Sequence, residues 1–497
     1  MTVPETFLNY IDGKWVPARS GRTFENLNPA DVRDVIGLFP RSDESDVHDA
    51  VTAAKKAFLS WSRTPAPERA EILRRVGEKL IQKKWEIARE LTREMGKILK
   101  EAGGDVQEAI DTALYISGEG RRMFGVVTPS ELQNKWAMAF RRPVGICAII
   151  TPWNFPTALP MWKIAPALVC GNTVVFKPSS FTPKTANLLV QVFEECGLPP
   201  GVLNLVHGLG SEVGDALVQH PDIRLISFTG STETGRRINE LSARQLKKIS
   251  LEMGGKNAII VMDDADVDLA VEGILWGAFG TTGQRCTATS RLIVHEKIYD
   301  PLVNLLKNRT EKLVIGNGLN PGVDVGPVIN QEQLNKIHHY VNIGIQEGAK
   351  LLCGGKILSE GDFQYGFFYA PTLFEEVLPH MTLFQEEIFG PVLSISRVSS
   401  LAQAIEYVNQ SRYGLSSSLY TRDLRNAFLA IEGIDAGITY INAPTIGSEV
   451  HLPFGGVKET GNGHREGAAW TLLEIFSEWK TVYVDYSGKL QKAQKID

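Results

Sequence analysis

The chain has 497 residues, 52 basic and 57 acidic for a formal net charge of −5, and 43% are hydrophobic. That length implies two to four domains with sizeable cores, and the composition excludes wholesale disorder. The balance of charge lacks the basic footprint of a nucleic-acid binder, no stretch approaches the roughly 18 apolar residues of a membrane span, and five cysteines without a C-x-x-C exclude a disulfide scaffold or zinc ribbon. The opening MTVPETFLNYIDGKW has neither a basic start nor an apolar run, so no secretory signal is expected. Nine scattered histidines include no H-E-x-x-H. The expectation is a cytoplasmic, reduced protein with no metal, no membrane and no nucleic-acid partner.

In chain order, apolar residues at 3–4-residue spacing (Ile72, Leu73, Val76, Leu80, Ile87, Leu91, Met95, Ile98) predict a helix from Pro67 to Lys100. Its many charges read as a solvated face. From Arg142 the texture changes to short apolar runs, each followed by a turn and a helical pattern: 145–150, 172–177, 202–208, 224–228 and 247–252. Strands alternating with helices predict a parallel sheet covered on both faces, whose ligands bind beyond the strands' carboxyl ends. A second series of strands and helices occupies about 255 to 440. The tail from Trp470 alternates like a strand. No long linker separates these parts, so the domains are expected to be interleaved.

The turn from Phe228 to Gly235, FTGSTETG, follows a strand and opens a helix, where backbone N–H groups and the helix dipole suit a phosphate. It is neither G-x-G-x-x-G nor a Walker loop, and the turn from Gly208 to Gly214 misses the dinucleotide spacing by one residue. Each is a ligand cradle or a plain connection. Cys147, Cys170, Cys196 and Cys353 read as core residues. Cys286 differs: it sits in the polar, Gly-containing TTGQRCTATS, where Arg285 would favour the thiolate, and is a candidate nucleophile. Glu252, at a strand end, is a candidate general base. Lys177, also at a strand end, is either a surface residue or a grip on ribose or phosphate. Glu387, in QEEIFGP, is a second carboxylate of interest.

Taken together, PWNFP (152–156), KPS (177–179), FTGSTETG (228–235), LEMGGK (251–256), GQRC (283–286), EEIFGP (386–391) and PFGGVKETGNGHRE (453–466) resemble, in order, the hallmarks of the NAD(P)-dependent aldehyde dehydrogenase superfamily. Among its branches the chain is most similar to semialdehyde dehydrogenases of the 2,5-dioxopentanoate type. The resemblance implies an α/β fold: a Rossmann-like cofactor domain (1–123 and 143–254), an α/β catalytic domain (255–450) and a β-ribbon for oligomerisation (124–142 and 470–490). It implies a homo-oligomer, dimer or tetramer, and a small-molecule aldehyde as substrate.

The resemblance makes Cys286 the nucleophile, Glu252 the general base and Asn154 an oxyanion-hole donor. Lys177 and Ser180 would meet the adenosine ribose, and Gly230 and Ser231 the pyrophosphate. Glu387 and Phe389 would meet the nicotinamide side, while Thr151, Pro152, Trp153, Gly210, Gly214, Phe228, Thr229, Met253 and Gly254 line the cofactor cleft. Ser180 stands where NAD-specific relatives usually carry Glu, so both NADP and NAD are expected, with Lys177 and Lys184 supplying positive charge. Glu108, Phe155, Trp162, Arg285 and Phe454 would form the substrate tunnel. The implied reaction oxidises a polar or carboxylated short-chain aldehyde through a thiohemiacetal and a thioester, released by water and not by coenzyme A. A non-enzymatic descendant of the fold and a cofactor-independent esterase remain the alternatives.

Overall fold

The computed structural model describes residues 4–492; Met1 to Val3, with which the expected cofactor domain opens, lie outside the described residues. The five apolar runs all become strands of one seven-stranded sheet, in the order Lys248–Glu252, Ile223–Thr229, Ile146–Ile150, Thr173–Lys177, Leu203–Leu205, Asn9–Ile11 and Lys14–Val16. The first five are parallel; the two amino-terminal strands add antiparallel at the edge. Along Ile146–Ile150 the side chains alternate between two cores. Ile146, Ala148 and Ile150 meet Val47, Leu217 and Ile238. Cys147 and Ile149 face the cluster of Leu73, Val106, Ile164 and Leu189. Burial on both faces is why these strands read as continuous apolar runs.

The second series forms another seven-stranded sheet, ordered Lys350–Cys353, Thr372–Glu375, Val392–Val398, Thr289–His295, Asn257–Val261, Ser416–Tyr420 and Ile438–Ile441. It is parallel except for its first strand. Helices Val267–Phe279 and Tyr299–Thr310 pack on one face, and Leu401–Asn409 with the residues around Ala430 on the other. A third, antiparallel sheet joins Val126–Pro129, Lys135–Pro143 and Ser477–Asp485. It exposes Trp136, Phe140, Trp479 and Tyr483.

Three sequence expectations fail locally. The helix predicted over 67–100 is two helices, Ala66–Met95 and Leu99–Ser117. Gly96 ends the first in the left-handed region (φ 91°), packed so closely on Pro327 that a Cβ would sit 2.6 Å from its ring. Its charged face is not wholly solvated either, since Arg69, Glu94 and Lys97 are buried. Glu94 accepts from the Lys184 and Thr185 N–H groups at 2.6 and 2.8 Å, which caps the helix Pro183–Glu195. The tail is a helix over Ala469–Phe476 before the strand starts at Ser477. Leu472, Leu473, Ile475 and Phe476 are buried together while Trp470 and Glu474 are exposed, and over only eight residues that pattern separates helix from strand poorly.

Asn172 locks that tail to the first sheet. Its Nδ2 donates to the Phe476 and Ala167 carbonyls at 2.7 and 3.0 Å, and its Oδ1 accepts from Gly145 N–H at 2.9 Å, all buried. Asn172→Ala leaves the Phe476 carbonyl and the Gly145 N–H unpaired, while the Ala167 carbonyl keeps the residue 172 N–H at 3.0 Å. The substitution should cost about 2 kcal/mol or more, seen as a lowered denaturation midpoint; an unchanged midpoint would show that the tail is held elsewhere.

Candidate active site

Register brings the first sheet's site residues to one edge. Lys177 pairs across Ile150, Ile150 across Phe228, and Thr229 across Glu252, so these strands end level. The chain after Glu252 turns at once into the second sheet at Asn257, and Cys286 sits just ahead of the strand Thr289–His295. The carboxyl edge of one sheet therefore faces the amino edge of the other, and Cys286 lies between them.

A cavity of about 180 Å³ opens on Cys286, walled by Trp153, Asn154, Gly230, Met253 and Glu387, with Pro152, Ser231, Gly254 and Phe389 also on it. The Trp153 and Phe389 rings meet edge to face at 5.4 Å. Next to it, about 480 Å³ is lined by Thr151, Lys177, Ser180, Gly210, Gly214 and Phe228. A third cavity of about 710 Å³ holds Glu108, Phe155 and Arg285. Trp162 and Phe454 line none of the three. They stack edge to face at 5.3 Å in a small cluster against which Cys286 packs.

Cys286 is half-buried. Burial pushes its thiol up to about 12, with Glu387 and Glu252 adding to the rise. Arg285 does not favour the thiolate as its place in the sequence suggests. Its guanidinium turns away into an ion pair with Glu101 at 2.9 Å, and its Nε donates to Thr281 Oγ1 at 2.9 Å. Asn257 holds the loop by donating from Nδ2 to the Cys286 and Ala288 carbonyls at 2.7 and 2.9 Å. The Asn154 Nδ2 donates one hydrogen bond to the Gln284 carbonyl at 3.1 Å, which leaves its second N–H.

Glu252 is buried, and neither carboxylate oxygen has a hydrogen-bond partner among the described residues. Burial holds its carboxyl well above the usual range, and nearby Glu466 reinforces this against the pull of Lys163 and Arg465. Glu387 is likewise raised by burial, and accepts from Gly255 N–H at 3.0 Å. Burial pushes the Lys177 ammonium down to about 8 while its Nζ donates to the Pro178 carbonyl at 2.8 Å.

Sequence reasoning missed several members. Lys163 pairs with Glu466 and donates to Ser227 Oγ at 3.1 Å, all buried behind Glu252. A lone lysine in the otherwise apolar helix Ala158–Val169 was the available signal. Ser179, Ser211, Thr234 and Arg237 line the 480 Å³ cavity. Lys184, expected to add charge there, instead pairs with Glu90 at 2.9 Å.

A nicotinamide dinucleotide fits the two joined cavities. Ser231 caps the helix Thr232–Ala243, accepting from Thr234 N–H at 3.2 Å, so that helix presents its N-terminus to an anion. The hydroxyls of Thr151 and Thr229 are buried without hydrogen-bond partners among the described residues, and a Cβ on Gly210 would meet only open space.

Residues 15–482 match the Aldehyde dehydrogenase family. The chain is 43% identical over 484 residues to the α-ketoglutaric semialdehyde dehydrogenase of Bacillus subtilis, covering 97% of this chain and 99% of that protein. It is 41% identical over 472 residues to the 2,5-dioxopentanoate dehydrogenase of Saccharolobus solfataricus, with 95% and 98% covered. An NAD-dependent aldehyde dehydrogenase from Sinorhizobium meliloti superposes with a TM-score of 0.94 at 36% identity, covering 98% of this chain and 96% of that one. An NADP dependent enzyme from E. coli gives 0.93 at 37%, with 97% and 98% covered.

Asn257→Ala would free two carbonyls of the Cys286 loop. Loosening should raise the rate of Cys286 alkylation by iodoacetamide several-fold, read by mass spectrometry against the buried Cys147 and Cys170. An unchanged rate would mean the loop is fixed without Asn257.

Proposed function

The chain belongs to the aldehyde dehydrogenase family, and from that premise we propose that it oxidises a carboxylated short-chain aldehyde with NAD(P), using Cys286 as nucleophile and releasing the acid by hydrolysis. The observation that carries this reading is the cleft that brings Cys286 and Asn154 together beside a built anion cradle, with the buried Glu252 outside its lining yet close enough to act on the Cys286 thiol. The same three intact residues speak against a non-enzymatic descendant.

The Cys286 sulfur attacks the aldehyde carbon, forming a thiohemiacetal, and its proton leaves to a base or water. Oxygen becomes an alkoxide, stabilised by the free Asn154 N–H and the Cys286 backbone N–H; one such donor contributes about 3 kcal/mol. The bound cofactor supplies the hydride acceptor. Lys177 and Ser180 hold its adenosine side, the helix N-terminus at Ser231 its pyrophosphate, and Glu387 its nicotinamide ribose. Glu252 then takes a proton from water, whose oxygen attacks the thioester carbonyl as the C–S bond breaks, and the carboxylic acid departs. Its pKa, raised chiefly by burial and then by Glu466 against the opposing pull of Lys163, makes it a better base than a solvated carboxylate. A water-activating base in this place favours hydrolysis over transfer to coenzyme A.

Ser180 carries no charge to repel a 2′-phosphate, so both cofactors are accepted. Segments 1–123 and 143–254 serve the cofactor, 255–450 the chemistry, and the aromatic ribbon joins subunits into a dimer or tetramer. Five free thiols fit a cytoplasmic, reducing compartment.

Cys286→Ser should abolish turnover while NADH still binds; near-wild-type turnover would refute the assignment. Glu252→Gln should give one burst of NAD(P)H and then slow release, read by stopped-flow absorbance. In the wild type, turnover limited by hydrolysis should rise with pH through the raised Glu252 pKa, because only the ionised form accepts a proton. Loss of the burst itself would instead place Glu252 before hydride transfer. Ser180→Glu should lower kcat/KM for NADP at least about tenfold relative to NAD; an unmoved ratio would remove Ser180 from cofactor choice.

A further inference from the structure

The 710 Å³ cavity beside the Cys286 loop holds an uneven count of charges. Helix Leu99–Ser117 brings Glu101, Asp105 and Glu108 to it at i, i+4 and i+7, along one face. Glu101 accepts from Arg285 at 2.9 Å, and Asp105 from the buried Lys97 Nζ at 3.0 Å. Glu108 pairs with neither cation. Among the described residues its backbone carbonyl accepts from Thr112 Oγ1, and its half-buried carboxyl has no partner. Three carboxylates thus share two cations.

The cavity adjoins the reacting residues. Phe155 follows Asn154, and lies under both Lys97 Nζ at 3.8 Å and the Arg285 guanidinium at 5.4 Å. Ile438 packs on the same cluster as Cys286. Two residues along that strand, about 7 Å further on, the Tyr440 phenol lies within the electrostatic reach of Glu108. Glu108 is therefore placed for the far end of a short-chain aldehyde whose carbonyl is at Cys286. Arg285, with Nε and Nη2 engaged, keeps Nη1 for a ligand.

We propose that Glu108 works as a neutral carboxylic acid, donating a hydrogen bond to the terminal carboxylate of the aldehyde while Arg285 supplies the adjacent positive charge. This rests on the carboxylated-aldehyde reading above and names the group that selects it. Burial, and after it Asp105, push the Glu108 carboxyl up to about 8; Lys97 and Arg285 pull it down, and Asp111 adds to the rise. From the facing strand and loop come the Tyr440 phenol, itself pushed up to about 12, and Glu449. Glu272, Asp324 and the exposed Lys100 complete the charged rim. Below pH 8 the acid form dominates and has an O–H to give. Ionised, it would be a third carboxylate without a counter-ion and would repel the substrate.

The test is the ratio of kcat/KM for 5-oxopentanoate to that for pentanal across about pH 6.5–9.5, because titrations of Cys286 and Glu252 cancel between the two. In the wild type the ratio should fall about tenfold as pH rises through about 8. Glu108→Gln, a permanent neutral donor, should keep the ratio high and flat. Glu108→Ala should lower it about tenfold at pH 7. A flat wild-type ratio, or the wild-type slope persisting in Glu108→Gln, would overturn the assignment alone, whereas preference for a trimethylammonio-aldehyde would overturn the carboxylated-aldehyde reading with it. No turnover of 5-oxopentanoate at any pH, with pentanal still oxidised, would overturn the carboxylated-aldehyde reading and this assignment with it.

Discussion

Only Met253, Gly254, Gly255 and Lys256 separate the strand that ends at Glu252 from the one that starts at Asn257. So short a connection forces the two sheets to meet edge to edge, and the rest of the site follows from that meeting. Gly254 passes against the Glu387 carboxylate, where a Cβ would collide with it. At Gly255 a Cβ would lie 2.5 Å from the Cys286 carbonyl oxygen. The base, the loop of the nucleophile and the ribose-side carboxylate are thereby tied to one stretch of backbone. Asn257 closes the arrangement, since it opens the second sheet and donates to the same Cys286 carbonyl.

This closeness has an electrostatic cost. A buried carboxylate without a partner is unfavourable by several kcal/mol unless it takes up a proton or meets a cation. Around the site, several charges are neutralised in pairs: the buried Lys163 with Glu466 and Lys97 with Asp105, and the half-buried Arg285 with Glu101. Glu252 stands outside these pairs, and its pKa rises accordingly. Fully paired, it would be stabler and a poorer base. The strain on stability sits where proton transfer is needed.

Much of this was legible in the sequence, for a physical reason. Strands buried on both faces are apolar along most of their length, so the runs at 145–150, 172–177 and 224–228 stand out in the sequence, and the residues just after them lie at the ligand edge. Cys286 stood out because a polar, Gly-containing loop is a poor place to bury a thiol for packing. The break at Gly96 was less legible, because the apolar period runs on through it and the close approach of Pro327 that demands glycine comes from more than two hundred residues away. The tail helix is harder to read because it spans only two turns and its solvent-facing side carries the apolar Trp470 beside Glu474, which hides the helical period.

Charge pairing was the least legible layer, and the helix Leu99–Ser117 shows why. Its spacing of Glu101, Asp105 and Glu108 declares a common face, which local sequence determines completely. Which of the three acids gains a cation is decided elsewhere, by Lys97 folding back beyond the Gly96 cap and by Arg285 arriving from the second sheet's loop. The same non-local choice that removes Arg285 from the Cys286 thiol leaves Glu108 as the acid without a counter-ion. Residue type and spacing therefore identify which groups can carry chemistry, while their protonation states emerge only when distant segments have settled who pairs with whom.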